Sequence, residues 1–269
     1  MKSCKIMLAQ QGKYPDNSRF SLRYEPNQDA LFNGGRTLQH NFLPTHDITR
    51  ATPRLILGVA DGLSANENSY KASHFWMEQL GVCQKKQQVL DYQWLCETQQ
   101  KFNQAFAQEH FGIATVFSAV EIDLEHQIAT LLNVGNCRVY LVNSQGEWTK
   151  ISQDHVLLPK KNNPRVKYFQ NSTESLSSYL IANNQPFQTA YFYQKIDIQE
   201  DDTILLFTAG IMNETAIQQC KEIWNKFNCN KKRVNFIKQL LISKKYICDD
   251  FSMICCSFLQ GKIALFLKI

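Results

Sequence analysis

Apolar and polar positions along this chain change period several times, and each change predicts an element. Residues 55–60 form a continuous apolar run with β-branched members that stops at Asp61-Gly62. Such a run predicts a buried strand with a carboxylate at its end, although Asp-Gly by itself also reads as a turn. Upstream, residues 20–24 and 30–32 are short strand-like pieces on either side of a turn at 25–29. The Gly-, Asn-, Thr- and Pro-bearing stretch 33–53 has little periodicity and is expected to be a surface loop. Downstream, Ala72, Phe75, Trp76 and Leu80 recur at helical spacing. A second helix is expected over 89–110, with Tyr92, Leu95, Cys96, Phe102 and Phe106 on one stripe.

Strand character returns over 114–123, 127–134 and 138–143, divided by turn residues at Glu125-His126 and Gly135-Asn136. Connections this short require antiparallel pairing, because parallel neighbours need a long crossover. Between 155 and 201 the pattern weakens. An apolar run over 203–207 ends in Thr208-Ala209-Gly210, and helical spacing follows in Ile217, Cys220, Ile223, Trp224 and Phe227, then in Val234, Ile237, Leu240 and Leu241. Residues 251–258 and 263–269 are again β-like. Strands, two helices, strands, two helices, strands is an α+β order without strict βαβ alternation. It predicts an α/β/β/α sandwich of two antiparallel sheets flanked by helices, with residues 1–269 as one domain.

Composition narrows the function classes. A chain of 269 residues with 44% hydrophobic content can bury a substantial core. Its net charge of +5 is slight and dispersed, which argues against nucleic acid as a partner. The basic cluster Lys231-Lys232-Arg233 opens a helical pattern and reads as a solvated face. Nine cysteines without a C-x-x-C pair point away from a disulfide framework or zinc site and toward a reducing, cytoplasmic compartment. No apolar run is long enough for a signal peptide or a membrane span.

Several short motifs lie at predicted strand ends and turns: Asn27-Gln28-Asp29-Ala30, Val59-Ala60-Asp61-Gly62, the run from Asn133 to Leu141, Gln153-Asp154-His155, the run from Asp202 to Gly210, and Asp249-Asp250-Phe251-Ser252. In this order they resemble the motif series of the metal-dependent protein phosphatases, the protein phosphatase 2C family, and most of all its compact bacterial members. The resemblance spans residues 20–258. It implies the same α/β/β/α sandwich and hydrolysis of phosphoserine or phosphothreonine in proteins by a water activated between two Mn²⁺ or Mg²⁺ ions. Hard divalent ions take oxygen ligands, which is why carboxylates must converge from separate strands.

By the same resemblance, Asp61 is the bridging ligand of both metals and Gly62 contributes its carbonyl. Asp29 belongs to the second-metal side and Asp249 ligates the first metal, so Asp61 and Asp249 carry the catalytic role. Arg23 is the candidate phosphate-binding group, one position further from Asp29 than the usual bacterial spacing. The expected partner is a phosphorylated protein, or the pathway of its cognate kinase, and a monomer is expected.

Departures from the family pattern stand beside the matches. Ala209 occupies the place of an aspartate that ligates the first metal and a third, weaker one. Asn136 replaces another third-metal aspartate, Gly112-Ile113-Ala114-Thr115 is a loose form of a Gly-Thr-Thr segment, and Ser64 and Ala65 stand where glycines are usual. Fewer hard ligands imply weaker binding of at least one metal. Ala209 is open to three readings: a pseudophosphatase that binds phosphoprotein without turnover, a variant with reduced two-metal catalysis, or an engineered Asp→Ala change. His155 reads as packed and hydrogen-bonded, and Cys137, Cys255 and Cys256 as buried small hydrophobes. The second carboxylate, Asp250, reads as facing solvent or orienting Asp249.

Overall fold

Period-two alternation sorts the strands into layers. The computed structural model describes residues 3–12, 26–157, 175–211, 214–243 and 249–259. One antiparallel sheet runs in the order β4 (Phe42–Arg50), β1 (Ser3–Gln11), β13 (Phe251–Leu259), β12 (Thr203–Phe207), β8 (Arg138–Val142), β9 (Trp148–Lys150). The other runs β11 (Phe192–Asp197), β7 (Ile128–Val134), β6 (Ala114–Asp123), β5 (Arg54–Gly62), β2 (Asp29–Phe32), β3 (Thr37–Leu38), with the short β10 (Leu180–Ile181) also on β6.

Alternate residues of these strands point into different cores. Ile6 and Leu8 of β1 face Leu57 and Val59 of β5, Val120 and Ile122 of β6, and Ile254 and Cys256 of β13 in the core between the sheets. Met7 and Ala9 face the opposite way and meet Ile217 and Trp224 of α3 (Glu214–Lys226) and Val234 and Ile237 of α4 (Asn230–Ser243). On the other outer face, Ile56 and Ala60 of β5 and Phe117 of β6 pack under Trp76, Met77 and Leu80 of α1 (Ser69–Lys85) and Leu95 and Phe102 of α2 (Tyr92–Phe106). A strand buried on both faces explains why β5 reads as a continuous apolar run. Gly58 lets α1 approach it: a Cβ there would lie 2.3 Å from the Leu80 side chain. At the start of α2, Asp91 accepts the Trp94 N–H at 3.0 Å, a side-chain N-cap.

The four-layer α/β/β/α arrangement agrees with the reading from sequence. Three local expectations need correction or comment. The stretch 33–53 is not a loop, since it contains β3 and the nine-residue β4. As an edge strand, β4 takes its pattern from pairing with β1, a partner distant in sequence that local periodicity does not register. The opening segment, which predicted no element, is β1, an interior strand paired with both β4 and β13. Within the basic cluster, Arg233 is not a solvated cation: its Nε donates to the Trp224 and Phe227 carbonyls at 2.9 and 2.6 Å, tying α3 to α4. The strand-like pieces at 20–24 and 263–269 lie outside the described residues.

Candidate functional site

At one end of the sandwich the inner stripes turn polar. Ile6 and Leu8 are followed two positions later by Gln10, Leu57 and Val59 by Asp61, Leu131 by Asn133, and Leu206 by Thr208. Reading toward the same end, Leu31 is preceded by Asp29, Val120 by Ser118 and Ile254 by Ser252. All of these polar residues are buried. Alternation therefore carries them into the space between the sheets, where buried polar groups require partners or a ligand.

Asp29 and Asp61 form the centre of this region. They sit directly opposite each other on the antiparallel pair β2 and β5, and both carboxyls are buried. Burial is the largest influence raising both above the usual carboxylate range. Repulsion adds to it, from Asp61 and Asp250 on Asp29, and from Asp249 and Asp250 on Asp61. Thr208 Oγ1 donates to Asp29 Oδ2 at 2.6 Å, and Ser252 also bonds to Asp29, which acts in the opposite sense. The Ala209 backbone N–H similarly supports Asp61. Thr115 fixes the Asp61 backbone by donating to its carbonyl at 2.7 Å.

Asp249 and Asp250 enter from the start of β13. Asp249 is half-buried and accepts the Asp250 N–H at 2.9 Å. Asp250 is the more buried of the two, and its Oδ2 accepts the Gln28 N–H. Sequence reasoning left Asp250 either facing solvent or orienting Asp249; in the structure it is buried rather than facing solvent, and its charge bears on both central carboxyls. Gly62 is enclosed, and a Cβ there would meet the Ser69 carbonyl oxygen at 2.6 Å. Gly210 lies so close to the Asp250 carbonyl that a Cβ would come within 2.2 Å of it. Ala209 keeps its backbone at the site but brings only a methyl group.

Asn136 is buried on the turn that joins β7 to β8. That turn is held by His155, whose Nδ1 accepts the Gly135 N–H at 3.0 Å, and by Arg138, whose Nη2 donates to Asp154 at 2.8 Å. Arg23 lies outside the described residues. Thr208 and Ser252 stood in the sequence motifs without a role of their own and Gln10 was missed, although each interrupts an apolar period-two stripe, the signal that could have found them.

Among the described residues, no group of three or more His, Cys, Asp or Glu side chains is gathered into a metal cage. The chemistry of the corner nevertheless fits a hard cation. Asp29 Oδ1 is a buried acceptor without a hydrogen-bond partner, the surrounding acids repel one another, and the available donors are oxygens.

No family model matches the chain, and no curated protein sequence matches it. Solved structures do. The S. agalactiae serine/threonine phosphatase superposes with a TM-score of 0.67 at 16% identity, over 94% of this chain and 99% of that one. The catalytic domain of the serine threonine protein phosphatase PstP, in complex with 2 manganese ions, gives 0.66 at 12% identity over 96% and 100%. RsbX in complex with magnesium gives 0.58 at 16% identity over 95% and 96%. What the chain shares with them at these identities is the fold.

Proposed function

We propose that this chain is a metal-dependent phosphatase for phosphoserine and phosphothreonine in proteins, with its centre at Asp29, Asp61, Gly62 and Asp249. The observation that carries this reading is the buried cross-strand pair Asp29 and Asp61, set at the polar end of the inter-sheet core of a fold shared with serine/threonine phosphatases. Asp61, the Gly62 carbonyl and Asp249 would hold one Mn²⁺ or Mg²⁺ ion, and Asp29 would act on the side of a second. A divalent cation there supplies positive charge to the phosphoryl oxygens and acidifies a bound water. The chain's own contribution is to fix the carboxylates on neighbouring strands: Thr208 and Ser252 hold Asp29, and Thr115 and the Ala209 N–H hold Asp61. Arg23 is the proposed contact to the phosphate.

With a methyl group at Ala209 and an amide at Asn136, two carboxylates of the family pattern are missing, so metal affinity and turnover should be low. The assay is hydrolysis of p-nitrophenyl phosphate with Mn²⁺. Turnover is expected to fall roughly 100-fold or more in Asp61→Ala and to rise about tenfold or more in Ala209→Asp. Turnover unaffected by Asp61→Ala would remove this centre from the reaction. Ala209 also favours a second reading, a module that binds phosphoprotein without hydrolysing it. Absence of turnover in both the natural chain and Ala209→Asp, with phosphopeptide binding retained, is the result that would favour that module.

A further inference from the structure

Gln10 is a wholly buried amide on β1, in register with Ser252 of β13. It takes a position that the stripe of Ile6 and Leu8 would fill with an aliphatic side chain. Its Oε1 accepts the His40 N–H at 3.2 Å, which leaves Nε2 as the donor end. Nε2 donates to Ser252 Oγ at 2.9 Å and lies 3.5 Å from the Leu38 carbonyl. A serine hydroxyl has one proton. With Gln10 donating into Ser252 Oγ, that proton is directed to Asp29, to which Ser252 bonds. Thr208 follows the same logic: Oγ1 accepts the Ser252 N–H at 2.8 Å, so its own proton goes to Asp29 Oδ2 at 2.6 Å.

We infer that Gln10 is a positioning residue of the carboxylate centre, fixing the Ser252 hydroxyl as a donor to Asp29 and so setting which Asp29 oxygen stays open to a divalent cation. The inference rests on the functional reading above. Thr208 donates to Oδ2, and Oδ1 is left as the oxygen on which no hydrogen-bond donor sits. The backbone at Gln10 is itself clamped, since Lys238 of α4 donates to the Gln10 and Leu43 carbonyls at 3.1 and 2.9 Å. The relay therefore runs from a helix on the outer face, through β1 and β13, to a carboxyl on the opposite sheet. Stability alone does not call for it, because a well-packed aliphatic side chain serves a buried position at least as well as a polar network.

The test is calorimetric titration of the full chain with Mn²⁺, with thermal melting to verify that each variant is folded. Gln10→Met removes the donor, Ser252→Ala removes the hydroxyl, and Ser252→Thr restores it. Gln10→Met and Ser252→Ala should each weaken Mn²⁺ binding about tenfold, while Ser252→Thr stays within about twofold of the natural chain. The double variant Gln10→Met with Ser252→Ala should be no weaker than Ser252→Ala alone, since Gln10 acts through Ser252. Gln10→Glu, which presents an acceptor and turns the Ser252 proton away from Asp29, should weaken binding at least as much as Gln10→Met. Natural affinity in Gln10→Met, or additive losses in the double variant, would overturn the role of Gln10 and leave the phosphatase reading standing. A natural chain that binds no Mn²⁺ would overturn both.

Discussion

At the residue scale, the central fact is a pair of carboxyls that burial and the repulsion of neighbouring acids push toward their neutral forms. A raised folded-state pKa contributes stability below the unfolded value, and that contribution is lost as pH rises through the folded value. The cost of ionising the pair in the metal-stripped chain therefore grows as pH rises through the folded values. Asp61→Asn keeps an acceptor for the Ala209 N–H and removes one charge, so it should raise the melting temperature of the metal-stripped protein by roughly 3–6 °C. Mn²⁺ should then stabilise the natural chain, by about 2.7 kcal/mol at a hundredfold excess over Kd, and leave Asp61→Asn almost unmoved. Calorimetric melting with and without Mn²⁺ measures both effects. A lower melting temperature for metal-stripped Asp61→Asn would show that the repulsion is already relieved in the fold.

At the element scale, the turn between β7 and β8 depends on a neutral histidine. Burial is the largest influence on His155 and holds it below the usual histidine range, outweighing the Asp154 charge, which acts the other way. The Gly135 N–H needs an unprotonated Nδ1. Because the folded value is depressed, the stabilisation is complete above the unfolded pKa of about 6.5 and is lost as pH falls through the folded value. Urea midpoints at pH 7.5 and 5.5 should therefore differ more for the natural chain than for His155→Asn, whose amide oxygen accepts the same N–H without titrating. Equal pH slopes would mean that His155 does not hold the turn. The comparison with the variant matters because His126, paired with Asp123, shifts upward and opposes the trend.

The elements also differ in how legible they were. Strand β5 and helices α1 to α4 carry their apolar pattern within a single segment, so local periodicity found them. Strand β4 contains Pro44 and lies at a sheet edge, and its nine residues are ordered by pairing with β1. Nothing in its own sequence separates it from a loop.

At the scale of the whole molecule, the inter-sheet core joins the sheets that carry the two halves of the site. Leu57 lies wholly buried in that core, two turns of alternation below Asp61. Leu57→Ala should cost about 2–5 kcal/mol by removing buried area and leaving a cavity. Urea unfolding followed by circular dichroism and by tryptophan fluorescence should shift to lower midpoints together, because Trp76 and Trp224 lie in opposite outer layers of one structure. Separate transitions would show that the layers unfold independently.

The sequence by itself determined the class of the fold, the helices and the strands that carry an apolar pattern of their own, because periodicity and turn chemistry are local properties. Asp29, Asp61 and Asp249, by contrast, were singled out by the resemblance of short motifs. Only the tertiary structure decided that Asp29 faces Asp61 across a strand pair, that Asp250 is the more buried of its dipeptide, and that Gln10, Thr208 and Ser252 belong to the same corner. Those relations join residues as far apart as 10 and 252. They are set by register between strands and by packing of one sheet on the other, physical constraints that no local window of sequence contains.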